Sequence, residues 1–332
     1  MADNNKPTKT RAADILRLAS YVIVFGFLFH PVLSSNTDLP SAETQKNSLI
    51  FLSDTQAPLF LETLKLKKDH NEKARKKILD NILKETEMAA LFHLGDIVAR
   101  SSSDKDWQPM DEAFGRLRKL NVPIYPAMGN HEYLSHPEEG QKNFKKRFPE
   151  LSRSWYSARI GPIAVIMLNS NFEWLSKTER TEQKAFYETE MKTLEADPAI
   201  QGILVCSHHP PFTNSKIVNR SKDVEREFVP QFLKSKKGVL FMSGHAHAAE
   251  DFVRMGKHFL VLGGGGGLLH PLWTGAKQRC EDHFPIKTER RFFHYVKLEI
   301  EEDSMVVTYK MLTADFADFR DVYQFSIPFN RS

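Results

Sequence analysis

Val122-Pro123-Ile124-Tyr125-Pro126-Ala127-Met128-Gly129-Asn130-His131-Glu132 is a short apolar run that breaks into a polar turn. A Gly-Asn pair ends strands readily, because glycine tolerates positive φ and asparagine bonds its own backbone. Alone the turn says little, but the same arrangement recurs upstream. Ser48-Leu49-Ile50-Phe51-Leu52 runs into Ser53-Asp54-Thr55-Gln56, and Met88-Ala89-Ala90-Leu91-Phe92-His93-Leu94 runs into Gly95-Asp96. Between these runs Ala74, Ile78, Leu79, Ile82 and Leu83 recur at helical spacing within Lys65 to Glu85, and a second helix-like stretch covers Met110 to Leu120. Strands that are apolar throughout and alternate with helices predict an α/β fold with a parallel βαβ sheet, whose chemistry collects beyond the carboxyl ends of its strands.

Downstream, after a basic helix near Gln141 to Arg147, Gly161-Pro162 joins Trp155 to Ile160 with Ala164 to Leu168, a hairpin and therefore an antiparallel element. A helix follows from about Thr181 to Glu195. Gly202 to Cys206 then leads into Ser207-His208-His209-Pro210-Pro211, and Gly238 to Met242 leads into Ser243-Gly244-His245-Ala246-His247. Further strand-like runs are Phe259 to Leu262, Phe292 to Ile300 and Met305 to Met311. Candidate ligands run from Asp54 to His247 without a linker, which predicts one domain over 48–330, although 332 residues allow two.

Forty-six basic against 42 acidic residues give a net charge of +4, and no Lys/Arg block with interleaved aromatics appears, so nucleic acid is not expected as a partner. Nothing in the sequence predicts a protein partner. Cys206 and Cys280 are too far apart to form a CxxC site. At the N-terminus Lys6, Lys9, Arg11 and Arg17 precede an apolar run from Leu18 to Phe29, followed by Ser34 and Ser35. That order predicts a signal peptide or N-terminal membrane anchor over 1–35, with membrane association through 12–33, then a polar tether over 36–47. The protein is accordingly expected to be exported (periplasmic or extracellular) or held at a membrane.

Five strand ends thus present Asp54 and Gln56, Asp96, Asn130 and His131, His208, and His245 and His247. Nearly all of these side chains can ligate a metal. The blocks Asp54-Thr55-Gln56, Gly95-Asp96, Gly129-Asn130-His131-Glu132, His208-His209-Pro210 and Gly244-His245-Ala246-His247 resemble, in order, those of the calcineurin-like metallophosphoesterase superfamily. The resemblance implies a four-layer α/β/β/α sandwich with two mixed β-sheets and a dinuclear site at the strand ends. It assigns Asp54, Gln56 and His247 to one ion, Asn130, His208 and His245 to the other, and Asp96 to both.

Imidazole and hard oxygen donors suit two divalent ions such as Mn, Fe, Zn or Co. The implied reaction is hydrolysis of a phosphate ester by a metal-bridging hydroxide. In it His131 touches the phosphate as a hydrogen-bond or proton donor, and Arg100 stands where some members bind phosphate. A phosphoprotein phosphatase or a non-catalytic scaffold are the alternatives.

The chain departs from the pattern at Gln56, where most members have His; a Gln carbonyl oxygen is a neutral, non-titrating donor. Ala99, in place of a Tyr three residues after Asp96, argues against the purple acid phosphatase subfamily. Alternation along an extended segment predicts that His209 points away from the site. Gly263 to Gly267 reads as a turn letting backbone pass close to the metal loops, and loops around Trp174, Pro271 and Trp273 are the candidate specificity determinants.

Overall fold

The computed structural model of the chain describes residues 47–329. The predicted signal or anchor over 1–35 lies outside the described residues, as does all of the 36–47 tether but its last residue. Among the described residues no helix is long and apolar enough to cross a membrane.

The first half of the chain alternates strands and helices. It comprises β1 (Ser48–Leu52), α1 (Phe60–Thr63), α2 (Asn71–Ile82), β2 (Met88–His93), α3 (Asp104–Lys119), β3 (Ile124–Pro126) and α4 (Pro137–Arg147). Then follow the β4 (Tyr156–Ile160) and β5 (Ile163–Leu168) hairpin, α5 (Lys177–Ala196), β6 (Gly202–Ser207), α6 (Lys222–Glu227), α7 (Val229–Lys234) and β7 (Gly238–Ser243). The rest is strand: β8 (Ala249–Arg254), β9 (Lys257–Leu262), β10 (His294–Ile300), β11 (Ser304–Leu312) and β12 (Phe319–Pro328).

Among the described residues these strands form two six-stranded mixed sheets, ordered β12-β11-β10-β1-β2-β3 and β4-β5-β6-β7-β9-β8. Within them β1, β2 and β3 are mutually parallel, as are β5, β6, β7 and β9. The fold is therefore the α/β class with two mixed sheets implied by the motif blocks.

Side-chain alternation explains the layering. Along β5, Ile163, Val165 and Met167 enter the core shared with the other sheet, while Ala164, Ile166 and Leu168 pack outward beneath Tyr187, Met191 and Leu194 of α5. A strand apolar at every position is what a sheet covered on both faces requires. On the outer face of the first sheet, Ala74, Ile78 and Ile82 of α2 and Trp107, Met110, Phe114 and Leu117 of α3 supply the apolar stripes. Helix α3 begins earlier than the Met110 start expected from the sequence. Ser103 caps it by accepting the N–H of Asp106, and Pro109 lies inside the helix.

Two strands escaped the sequence reading. Strand β12 pairs antiparallel along β11, with its half-buried side chains alternating against exposed ones. Strand β8 carries Glu250 and Asp251, charges that disguise it, yet both side chains are buried. Glu250 accepts from Thr213 Oγ1 (2.6 Å) and the Asn214 N–H (2.8 Å), and Asp251 accepts from Tyr323 Oη (2.8 Å). Arg291 and Asp282 form a fully buried ion pair at 2.5 Å beside them.

Burial, aided by the charge of Asp282, pushes the Glu250 carboxyl up from its ordinary 4.5 to about 7. Because the folded chain holds this proton more tightly than the unfolded chain, the contribution to stability is complete below about pH 4.5. It is lost as pH rises through about 7, and amounts to roughly 3 kcal/mol. Glu250→Gln should therefore flatten the fall in stability between pH 5 and pH 7.5, as read from urea unfolding midpoints; an unchanged pH profile would refute the assignment.

Candidate metal centre

The carboxyl ends of β1, β2, β3, β6 and β7 converge, and each hands over to its loop by an abrupt change of backbone. Asp54, Asp96 and His245 adopt positive φ of 59°, 53° and 63°. For residues other than glycine this conformation costs about 1–2 kcal/mol each. The cost is offset by bonds between loops. The Asp54 N–H donates to Gly95 O (3.1 Å) and the Gln56 N–H to Asp96 O (3.2 Å), joining the first two loops. The His131 N–H donates to Asp96 Oδ1 (2.8 Å), tying the third loop to the second, and the His245 N–H to Asp54 Oδ2 (2.9 Å), tying the fifth to the first.

This crowding explains two of the glycines. A Cβ on Gly129 would collide with the Asp96 carboxylate and backbone, and one on Gly267 would stand 2.5 Å from the His247 ring. The glycine run passes against the first loop as the sequence implied: Gly265 and Gly267 donate to Ser53 O (3.0 Å) and Asp54 O (2.9 Å). Asn71 Nδ2 holds the run from behind through Gly266 O and Gly267 O.

Three imidazoles are oriented alike. Nδ1 of His208 bonds Leu94 O (2.9 Å), Nδ1 of His247 bonds Leu268 O (2.8 Å), and Nδ1 of His131 bonds Ala99 O (2.8 Å). A backbone carbonyl only accepts, so each Nδ1 carries the hydrogen and each Nε2 presents a lone pair to the centre when the ring is neutral. His208 Nε2 lies 3.3 Å from Asp96 Oδ2 and 3.1 Å from Asn130 Oδ1, and His247 Nε2 lies 3.3 Å from Asp54 Oδ1. The Gln56 amide is oriented by two carbonyls: its nitrogen donates to Asp54 O (3.2 Å) and Asp96 O (3.1 Å), which turns its oxygen toward His247 Nε2 at 3.1 Å.

When the rings are neutral these are acceptors facing acceptors, and either a proton on Nε2 or a cation among them removes the repulsion. The donor set therefore fits divalent metal. Ligand atoms of Asp54, Asp96 and His247 all lie within 4.8 Å of one another, as do those of His208, His209 and His245, giving two adjacent groups. Protons and cations are drawn to the same place. Burial would lower the basicity of His208, but Asp96 overrides it and raises the group to about 9. Burial would raise the Asp96 carboxyl, yet His208 and His131 hold it well below the carboxylate range.

The structure brings together Asp54, Gln56, Asp96, Asn130, His131, His208, His245 and His247. His131 stands apart from the tightest groups, its Nε2 3.8 Å from Asp96 Oδ2 and also 3.8 Å from Glu62 Oε1. Arg100 is not brought in: its half-exposed side chain pairs with Asp106 at 3.2 Å. His209 is a correction. Strand β6 ends at Ser207, the chain bends, and strict alternation lapses. Ser170 Oγ holds His209 Nδ1 at 2.9 Å, leaving its ring 4.4 Å from that of His245. Burial and the neighbouring His208 lower its basicity to about 3, so it stays neutral and able to ligate.

Two contributors lacked a sequence signal: His270, stacked on His247 at 4.3 Å, and His93, whose Nε2 meets Thr55 Oγ1 at 2.9 Å. Glu132, the last residue of the motif quoted first, proves structural. Its fully buried carboxylate accepts the N–H groups of Gly129 (2.6 Å), Asp96 (2.9 Å) and Ile97 (3.0 Å).

The family profile described as calcineurin-like phosphoesterase matches residues 48–249. No curated protein sequence matches the chain. Among solved structures, GAP50, titled the anchor in the inner membrane complex of Plasmodium, is similar at 11% identity and a TM-score of 0.62, over 86% of this chain and 90% of its own. A dimetal phosphatase from Danio rerio is similar at 12% identity and a TM-score of 0.51, over 86% and 99%. At such identities these likenesses speak for the fold.

Glu132→Ala would strand three buried amides, each worth about 1–3 kcal/mol when its partner is lost. The variant should lose at least about 3 kcal/mol in denaturant unfolding, whereas Glu132→Gln, which keeps one acceptor, should lose less. Equal losses would mean that the amides are not what Glu132 serves.

Proposed function

The chain belongs to the calcineurin-like phosphoesterase family, and on that footing we propose a phosphoric ester hydrolase that works with two divalent cations. The observation that carries this reading is the convergence of ligating atoms from Asp54, Gln56, Asp96, Asn130, His208 and His247, whose oxygens and ring nitrogens meet at 3.1 to 3.3 Å and can share cations as well as protons. Asp54, Gln56 and His247 would hold one cation, Asn130, His208 and His245 the other, and Asp96 would serve both. His209 stands close enough to join the second group. When bound, such a pair supplies Lewis acidity toward the phosphoryl oxygens and toward the attacking water.

The chain's own residues do the rest. The cavity beside the centre, about 530 Å³, is lined at its polar end by Asp96, Asn130 and His131, so a phosphate there meets the His131 ring. With Nδ1 committed to Ala99 O, Nε2 is the atom that donates to phosphate or returns a proton to the leaving oxygen. The bond from the His131 N–H to Asp96 Oδ1 fixes that ring relative to the shared carboxylate. With Arg100 outside the cavity, phosphate recognition falls to the imidazole and amide groups.

A second reading, a non-catalytic scaffold, is favoured by the fold likeness to GAP50, which its title describes as an anchor. Retention of six of the seven expected donors in one cluster, with Gln56 where His is usual, weighs against it. The apolar run within 12–33 supports export or attachment to a membrane.

Turnover of paired chromogenic phosphate monoester and diester, with Mn, Fe, Zn and Co added in turn to metal-depleted protein, tests the proposal. Turnover should be found with at least one metal and be abolished in Asp96→Asn. His131→Ala should lower kcat by about 10²- to 10⁴-fold with bound metal unchanged by elemental analysis. Absence of turnover from metal-loaded protein would leave the scaffold. Gln56→His, which replaces a hard amide oxygen by imidazole, should tighten zinc binding more than magnesium binding in calorimetric titration. Identical affinities for both ions in variant and wild type would show that Gln56 is no ligand.

A further inference from the structure

Beside its polar floor the same cavity has an apolar wall, to which Leu61, Leu64, Ile217 and Val218 contribute. Helix α1 buries none of its residues, and Leu61 and Leu64 stand 73% and 68% exposed, with Phe60 beside them at 75% and Ile217 facing the cavity at 45%. These four are the majority of the seven large apolar side chains left exposed among the described residues. The short helix is capped by Glu62 Oε2, which accepts the Leu59 N–H at 2.7 Å, and it gains no burial from displaying them. Solitary exposed apolar residues need no explanation, but a cluster that walls a functional cavity marks a ligand surface.

We propose that this wall binds the apolar portion of the substrate, making the substrate class phosphate esters of long-chain or polycyclic alcohols, amphiphiles whose phosphate reaches the floor while the chain lies along α1. The inference rests on the phosphoesterase reading, because the floor then dictates that the occupant carries phosphate. The charged side chains that α1 and its C-terminal flank add to the lining are Glu62, whose Oε1 lies 3.8 Å from His131 Nε2, and the exposed Lys65, which can meet the charged end of an incoming amphiphile.

The test uses the full chain and n-alkyl phosphates from ethyl to decyl, each as monoester and as 4-nitrophenyl diester, below their critical micelle concentrations. Burying each added CH2 should raise kcat/KM by about fourfold until the wall is covered. Leu61→Ser with Leu64→Ser, and separately Ile217→Ser, should flatten that series. The decyl-to-ethyl ratio within each preparation cancels any misfolded fraction.

A second measurement does not depend on turnover. Decyl phosphonate should displace anilinonaphthalene sulfonate from metal-free wild type at far lower concentration than ethyl phosphonate, and lose that advantage in the variants. A flat chain-length series accompanied by turnover of chromogenic esters overturns this inference and spares the phosphoesterase reading. Equal displacement by both phosphonates overturns it whether or not turnover is found. If the variants instead lose binding to phosphatidylcholine vesicles while the chain-length series is unchanged, the wall is a membrane contact and the inference fails.

Discussion

The Asp96 carboxylate faces two ways, and the arrangement of the centre depends on it. One oxygen accepts the His131 N–H from the β3 loop, the other points at His208 Nε2 from the β6 loop, and its own backbone N–H is taken by Glu132. A buried carboxylate is costly unless its lone pairs are used, and here each oxygen is committed before any ligand arrives. Glu132 performs the complementary task with acceptors alone, gathering amides from the β2 and β3 loops. A shift of either loop would break both sets at once, so Asn130 and His131 owe their positions to the Glu132 bonds as well as to their own.

Burial and strain are distributed unequally. The strands and the helix faces above them follow local preference: apolar at both faces in β5 and β6, striped in α2 and α3, capped at Ser103. Deviations collect at the strand ends, where Asp54, Asp96 and His245 occupy left-handed backbone. Strain concentrated at ligand positions is held by the surrounding bonds rather than by the residues concerned, as expected where geometry serves chemistry. Glycine at 129 and 267 is the corresponding concession of volume, admitting a carboxylate and an imidazole where a methyl group would stand.

The convergence of the candidate donors was legible because strand-end residues are close in space whenever the strands are parallel, and apolar runs ending in polar turns reveal such strands without any contact information. Two limits of that logic are visible. Alternation assigned His209 outward, but period-two reasoning stops where the strand stops, and β6 ends one residue before His208. Arg100 sits four residues beyond Asp96 on a loop, where spacing carries no directional information, and a neighbouring Asp106 claims it. Strand β8 was hidden for a different reason. Its charges read as surface because pairing with Thr213, Tyr323 and their neighbours is long-range and leaves no local trace. His270 and His93 were silent likewise, each lying outside any motif block.

The donors are drawn from both sheets. Asp54, Asp96 and Asn130 follow β1, β2 and β3 of one sheet, while His208, His245 and His247 follow β6 and β7 of the other. A cation held among them would therefore cross-link the halves of the sandwich. Anything that binds only the folded form adds RT ln(1 + [L]/Kd) to stability, about 4 kcal/mol at a thousandfold excess over Kd. Cofactor supply and lifetime of the fold are consequently coupled quantities: a cell that withholds metal would weaken the seam between the sheets along with the chemistry at its edge.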